Sequence, residues 1–245
     1  MAVHPVASAG FSRSAAAYER ARPTYPEAAV DWLSQRLGLA PGRTVVDVGA
    51  GTGKLSRALL GSGAEVLAVE PLANMRAHIA APVRALDGTA ESIPLPDASA
   101  DAVTVAQAFH WFDAEAALSE IHRVLRPGGA LALLWNTPLA GDACNQAIEA
   151  IIAPYRDAAL PYGSVRWRHV LERGSLFGTL EQATFANSQM LDAQGLAARV
   201  QSTSFISVLV TQERDRVLAR VSELTAEGPV TVRYVTDVYV ADRRP

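Results

Sequence analysis

Three glycines within five positions, Gly49, Gly51 and Gly53, follow Asp47 in the run VVDVGAGTGKLSRALL (45–60). A β-branched stretch that passes through such a loop into an amphipathic segment reads as strand, tight turn and helix, and glycine lets the turn's backbone approach a ligand closely. The spacing decides which ligand. A dinucleotide fingerprint wants its third glycine at position 54, where this chain has Lys54. A phosphate-cradling Walker loop fails as well, because Gly53-Lys54 comes one position too early after Gly49 and Leu55 stands where a magnesium-binding hydroxyl belongs.

Two further polar residues sit where chemistry is done. Glu70 closes the apolar run EVLAVE (65–70), and His110 opens HWF directly after ADAVTVAQAF (100–109). An acidic strand end is either a solvated terminus or an acceptor for ligand hydroxyls. His110 is either a satisfied polar residue beside two aromatic core residues or a group for proton transfer and hydrogen bonding.

The elements that must position these residues alternate along the chain. Pro26 starts a helix carrying Val30, Leu33 and Leu37 on one face, with Gly38 available to end it. TVVDVG (44–49), EVLAVE (65–70), VRALDG (83–88), ADAVTVAQAF and ALALLWN (130–136) read as five strands. Helices KLSRALL, LANMRAHIA and DAEAALSEIHRVL lie between them, the last capped by Asp113 and stopped by RPGG. Strand-helix pairs at this spacing imply right-handed crossovers and a parallel sheet. From about 137 to 180 the pattern turns helical and rich in Trp, Tyr, Arg and Pro, which predicts a lid. ATFANSQMLD predicts a sixth strand, a helical excursion covers about 193–227, and PVTVRYVTDVYVADRRP supplies the closing strand.

At 245 residues, 49% hydrophobic and 19% charged, the chain can bury a substantial core. A net charge of −3 offers no general attraction to nucleic acid or anionic membrane, so a small molecule is the expected partner. The single cysteine, Cys144, excludes an intramolecular disulfide framework and a Cys-rich metal site, and no metal is expected. With no signal-like leader and no apolar run near the roughly 20 residues of a membrane span, a cytoplasmic protein, monomer or homodimer, is expected.

The segments VVDVGAGTG, AVEP, GTAESIPLPDASADAVTVAQAFHWF and EIHRVLRPGG, in this order and spacing, resemble class I S-adenosylmethionine-dependent methyltransferases. YERARPTYP before the first strand and HWF after the fourth resemble the small-molecule branch that includes trans-aconitate methyltransferase-like proteins. The likeness spans roughly 43–136 and is loose beyond 140. It implies an α/β, Rossmann-like fold with a seven-stranded, mostly parallel sheet, an antiparallel last strand and a helical lid. On this reading 1–245 is a single methyltransferase domain: an N-terminal flap and first helix (1–42), a cofactor-binding core (43–136), a lid insertion (137–180) and C-terminal strands and helices (181–245).

The resemblance also implies a site. S-adenosyl-L-methionine, leaving as S-adenosyl-L-homocysteine, would meet Tyr18 and Arg22 in the flap, then Asp47, Gly49, Ala50, Gly51 and Gly53 in the loop. Glu70 would accept from both ribose hydroxyls beside Pro71, and Met75 would either pack on the adenine or fill core. Thr89, Ala90 and Glu91 would embrace the adenine, although an aspartate is common in the family where this chain has Thr89. Gln107 and Ala108 would lie near the methionine portion. Tyr25, His110, Trp111 and Asn136 are the expected acceptor contacts. The expected acceptor atom is an oxygen of a small carboxylate or hydroxyl; nitrogen and carbon acceptors, and a non-catalytic cofactor-binding module, stay open. His110 would be the base for a hydroxyl or only a hydrogen-bond donor to a carboxylate.

Overall fold

Apolar alternation dictates the architecture. Strand β1 (Thr44–Val48) sends Val45 to one face of a central sheet and Val46 and Val48 to the other, so both faces need a helical cover. One face packs against Ala29 and Leu33 of helix α1 (Glu27–Arg36) and Leu55 and Leu59 of α2 (Lys54–Leu59). The computed structural model describes residue 19, residues 21–156 and residues 166–245.

The chain continues through β2 (Glu65–Val69), a one-turn helix α3 (Ala73–Arg76), β3 (Arg84–Leu86) and β4 (Ala100–Ala106). Helix α4 (Ala114–Val124) presents Leu118, Ile121 and Val124 to the second sheet face, and Asp113 caps it by accepting from the Ala116 amide at 3.2 Å. Strand β5 (Leu125–Pro138) follows directly, then α5 (Ala143–Ile152), α6 (Arg166–Arg173) and β6 (Glu181–Leu191). Helices α7 (Ala193–Gln201), α8 (Ser204–Ser207) and α9 (Thr211–Glu223) lead to β7 (Val230–Asp242).

The seven strands run in the order β3-β2-β1-β4-β5-β7-β6. Pairings among β1 to β5 are parallel, whereas β7 lies antiparallel to both β5 and β6. The expected antiparallel last strand is therefore present, inserted between its neighbours. The strand order reverses at β1 and β4, and the crevice beyond their carboxyl ends is where open α/β sheets take ligands.

Several expectations shift in extent. LANMRAHIA forms only one helical turn: past Ala77 the amides of His78 and Ile79 donate three residues back, to the carbonyls of Met75 and Arg76, both at 3.0 Å. RPGG follows the end of α4 as expected, and it lies within β5, with a register irregularity between Ala100 and Ala102. The helical excursion expected over 137–180 divides. Helix α5 joins α7, α8 and α9 in a third apolar cluster, where Ile152, Leu196, Val200 and Val217 pack with Val232 and Tyr234 of β7. Helix α6 instead turns onto the sheet, burying Leu171 in the core and stacking Trp167 on Trp135 at 4.7 Å. Among the described residues, no helix is long and apolar enough to cross a membrane.

Candidate active site

The loop after β1 is built as its glycines require. Gly49, Gly51 and Gly53 all have positive φ, at 68°, 58° and 79°, which side chains with a Cβ adopt only under strain. Gly49 is also pinned by packing, since a Cβ there would fall 2.8 Å from that of Ala108. Above Gly51 the space is open, with only the Met75 methyl 3.8 Å from where a Cβ would stand.

Asp47 is fully buried beneath this loop, its two oxygens accepting from Ser56 Oγ at 2.6 Å and Thr104 Oγ1 at 3.1 Å. Burial pushes its carboxyl up to about 6 despite those two bonds. Glu70 ends its strand with Oε2 accepting from the Gly51 amide and Oε1 from the Leu72 amide, both at 2.9 Å. Burial raises its pKa too, against the pull of those amides and of Arg76. Two acids and a left-handed loop thus form one unit.

A tight cavity lies over the loop, walled by Asp47, Gly49, Ala50 and Gly51 from below and by Arg22, Tyr25, Gln107 and Asn136 from the sides. Gln107 holds a positive φ of 60° at the end of β4, a strained backbone that persists because the surrounding fold imposes it. Asn136 is a fastening point. Its Oδ1 accepts from Thr236 and from Asn187 Nδ2 (3.1 Å), and its Nδ2 donates to the Thr24 carbonyl at 3.3 Å. The segment before α1 is thereby held across the sheet end, and Glu19 adds bonds to Thr52 and Arg57.

The remaining expected residues lie around this cavity or apart from it. Met75 is buried against the loop, and Pro71 adjoins Glu70. Ala90 is buried in the core; Thr89 Oγ1 is buried and makes no hydrogen bond among the described residues. Glu91 accepts from the Asp113 amide at 3.0 Å, which secures the approach to α4. His110 and Trp111 lie on the 3-10 turn Phe109–Trp111, ring centroids 4.9 Å apart, and neither lines the cavity. Burial, with the nearby Arg22 charge, lowers the His110 pKa to about 4. Tyr18 lies outside the described residues.

A second cavity of about 510 Å³ opens from the first, sharing Arg22, Gln107, Asn136 and Arg199 with it. Its walls come from α5, α7, α8 and β7, in the part of the chain where the sequence resemblance is loose. Arg199 and Phe205 are therefore site residues that the sequence reading missed, as were Thr52 and Lys54 on the loop side.

Comparison with known proteins agrees with this fold. A family model described as a methyltransferase domain matches residues 46–133. An uncharacterized methyltransferase of Mycobacterium tuberculosis is 41% identical over 226 residues, covering 91% of this chain and 88% of that protein. The chain belongs to the class I S-adenosylmethionine-dependent methyltransferases. A malonyl-[acyl-carrier protein] O-methyltransferase of Dechloromonas aromatica is 36% identical over 124 residues, 47% of each chain. A solved structure from Anaeromyxobacter dehalogenans, assigned as a type II methyltransferase, shares the fold with a TM-score of 0.68 at 24% identity, covering 91% of this chain and 97% of that one.

Proposed function

We propose that the chain transfers a methyl group from S-adenosylmethionine to an oxygen of a small carboxylate or hydroxyl acceptor. The observation that carries this reading is the joining of two cavities through Arg22, Gln107, Asn136 and Arg199, one over the glycine loop and one under the helical layer. Such an arrangement brings two small molecules end to end, and positioning of that kind supplies much of the rate in a displacement.

The residues over β1 and β2 suit the cofactor. Buried Asp47 is an acceptor for an ammonium group, the open left-handed loop accommodates an amino-acid backbone, and Glu70 keeps lone pairs for a pair of vicinal hydroxyls beyond the two amides it already accepts from. The Thr89 hydroxyl is available to an adenine edge. When bound, the cofactor supplies a methyl group on a positively charged sulfur, and transfer to oxygen leaves the electron pair of the broken carbon–sulfur bond on that sulfur.

The protein's own part is binding, orientation and exclusion of water. A carboxylate acceptor is already ionised and needs no base, which accords with a His110 held neutral and weakly basic by its burial. A hydroxyl acceptor would have to surrender a proton, and then a neutral His110 is in the correct form to take it. A relative matching about half the chain is named as an O-methyltransferase, which supports oxygen as the acceptor atom. The test is release of S-adenosylhomocysteine with panels of small acids, alcohols and amines, followed by mass analysis of the product. Methylation of amines alone would replace this reading.

A further inference from the structure

We propose that the second cavity is the acceptor pocket and that it selects a carboxylic acid with an apolar tail; this rests on the methyl-transfer reading above. The evidence lies in how polar and apolar groups divide along its wall. Ile148 and Ile152 of α5, Val200 of α7, Phe205 of α8 and Val232 of β7 supply an apolar middle. The charges divide between residues shared with the cofactor cavity and a pair that is not shared, whose Arg156 guanidinium also lies 5.7 Å from the Phe205 ring centroid. Glu149 is the only carboxylate on this wall among the described residues, and it is matched by Arg156 at 2.7 Å on the exposed side. At the junction with the cofactor cavity stand Arg22 and Arg199, so the wall as a whole is positive.

Arg199 is placed to read an anion. Its Nε donates to Tyr234 Oη at 3.0 Å and its guanidinium lies 5.7 Å from the Tyr234 ring centroid, which fixes the group while leaving its terminal nitrogens as donors in a planar fork. Arg22 is anchored nearby by donating to the Ser202 carbonyl at 2.7 Å, one turn beyond Arg199. A carboxylate held here lies at the junction of the cavities, and an apolar tail then fills the space between α5 and α7. The volume of about 510 Å³ is well above what a two- or three-carbon acid fills and falls within the usual range for a small-molecule site. A neutral ligand of the same shape would leave the guanidinium donors unmatched, which is how a polar site rejects an isostere.

The test uses equilibrium binding of 4-phenylbutyrate and of its amide to the full chain saturated with S-adenosylhomocysteine, so that no turnover occurs. The acid should bind at least tenfold more tightly than the amide. That preference should vanish in Arg199→Gln, whereas Phe205→Ala should weaken acid and amide alike. Equal binding of acid and amide to the wild type, or an acid preference that survives in a folded Arg199→Gln, overturns the pocket assignment. Retained S-adenosylhomocysteine affinity reports that a variant is folded, and the wild-type comparison stands without any variant. The two readings fail separately. Acid binding without methyl ester formation, once S-adenosylmethionine replaces the product, keeps the pocket and sinks oxygen methylation of acids. Methylation of a neutral alcohol with no preference for the acid sinks the pocket and keeps methyl transfer to oxygen.

Discussion

The Gly51 amide donates to Glu70 Oε2 at 2.9 Å, so the loop after β1 is tied to the residue that ends β2. The acid expected to read a ligand's hydroxyls is also a brace for the loop. Glu70→Ala should therefore weaken S-adenosylmethionine binding by about 1.5–3 kcal/mol, the range for hydrogen bonds to a charged group. It should also lower the melting temperature, since two amides lose their acceptor. Calorimetry with a 2′,3′-dideoxyribose analogue of S-adenosylhomocysteine separates the roles. If Glu70 acts through the ribose, the variant and the wild type bind the analogue nearly equally; a full penalty with the analogue would leave only the brace.

Gln107 carries a positive φ of 60° at the mouth of both cavities. Holding a residue other than glycine there costs about 1–3 kcal/mol, offset in part by the extra chain entropy glycine brings. Gln107→Gly should thus leave the fold as stable or raise its melting point while reducing kcat/KM. A loss of both stability and activity would mean that the side chain braces the fold, and that its strain has no bearing on catalysis.

The loop and the sheet were legible because their determinants are local. Three left-handed positions demand three glycines, and strands buried on both faces read as continuous apolar runs. Asp47 and Glu70 were legible as acids near strand ends, one residue before the end of β1 and one residue after β2. Gln107 was not legible as a strained residue, since glutamine gives no sign of a positive φ. Arg199 sits in AQGLAARVQ, whose amphipathic pattern buries Leu196 and Val200 without telling which cavity the neighbouring arginine faces. Helix α6 misled for a different reason. RWRHVLER shows its basic face strongly, yet Trp167, Val170 and Leu171 form an i, i+3, i+4 stripe, and that stripe packs on the sheet core. A lid and a core-covering helix share this pattern, and only the path of the chain distinguishes them.

His110 lines neither cavity, but Arg22, which lines both, is close enough for its charge to act on the imidazole. With a pKa near 4, His110 stays neutral throughout the working range, so the wild-type rate should show no histidine inflection between pH 5.5 and 8. His110→Ala should spare cofactor affinity. If the imidazole only orients the acceptor, His110→Gln should recover much of the activity lost in His110→Ala; if it takes a proton, His110→Gln should stay as impaired as alanine, by about 10²–10⁴-fold. Full activity in both variants would remove His110 from the reaction.

Asp47 and His110 impose opposite pH dependences on stability over one window. Asp47 has its folded pKa raised to about 6 from 3.8, so in the folded chain it holds a proton that the unfolded chain has already lost, and stability falls as pH rises from about 4 to 6. His110 has its folded pKa lowered to about 4 from 6.5, so its contribution is complete above 6.5 and is lost as pH falls towards 4. At 1.36 kcal/mol per pKa unit each amounts to about 3 kcal/mol, of opposite sign. Denaturant unfolding across pH 4–7 should expose each in turn. Asp47→Asn leaves the histidine slope, so its stability should rise with pH; His110→Ala leaves the aspartate slope, so its stability should fall. Cofactor binding adds a second readout, because an ammonium beside Asp47 favours the ionised carboxyl. Titrations near pH 6 in buffers of different ionisation enthalpy should then show net proton release on binding S-adenosylmethionine, and none in Asp47→Asn. If wild type and Asp47→Asn have the same pH slope of stability and the same proton count, Asp47 is neither raised in the free protein nor in contact with the cofactor's amine.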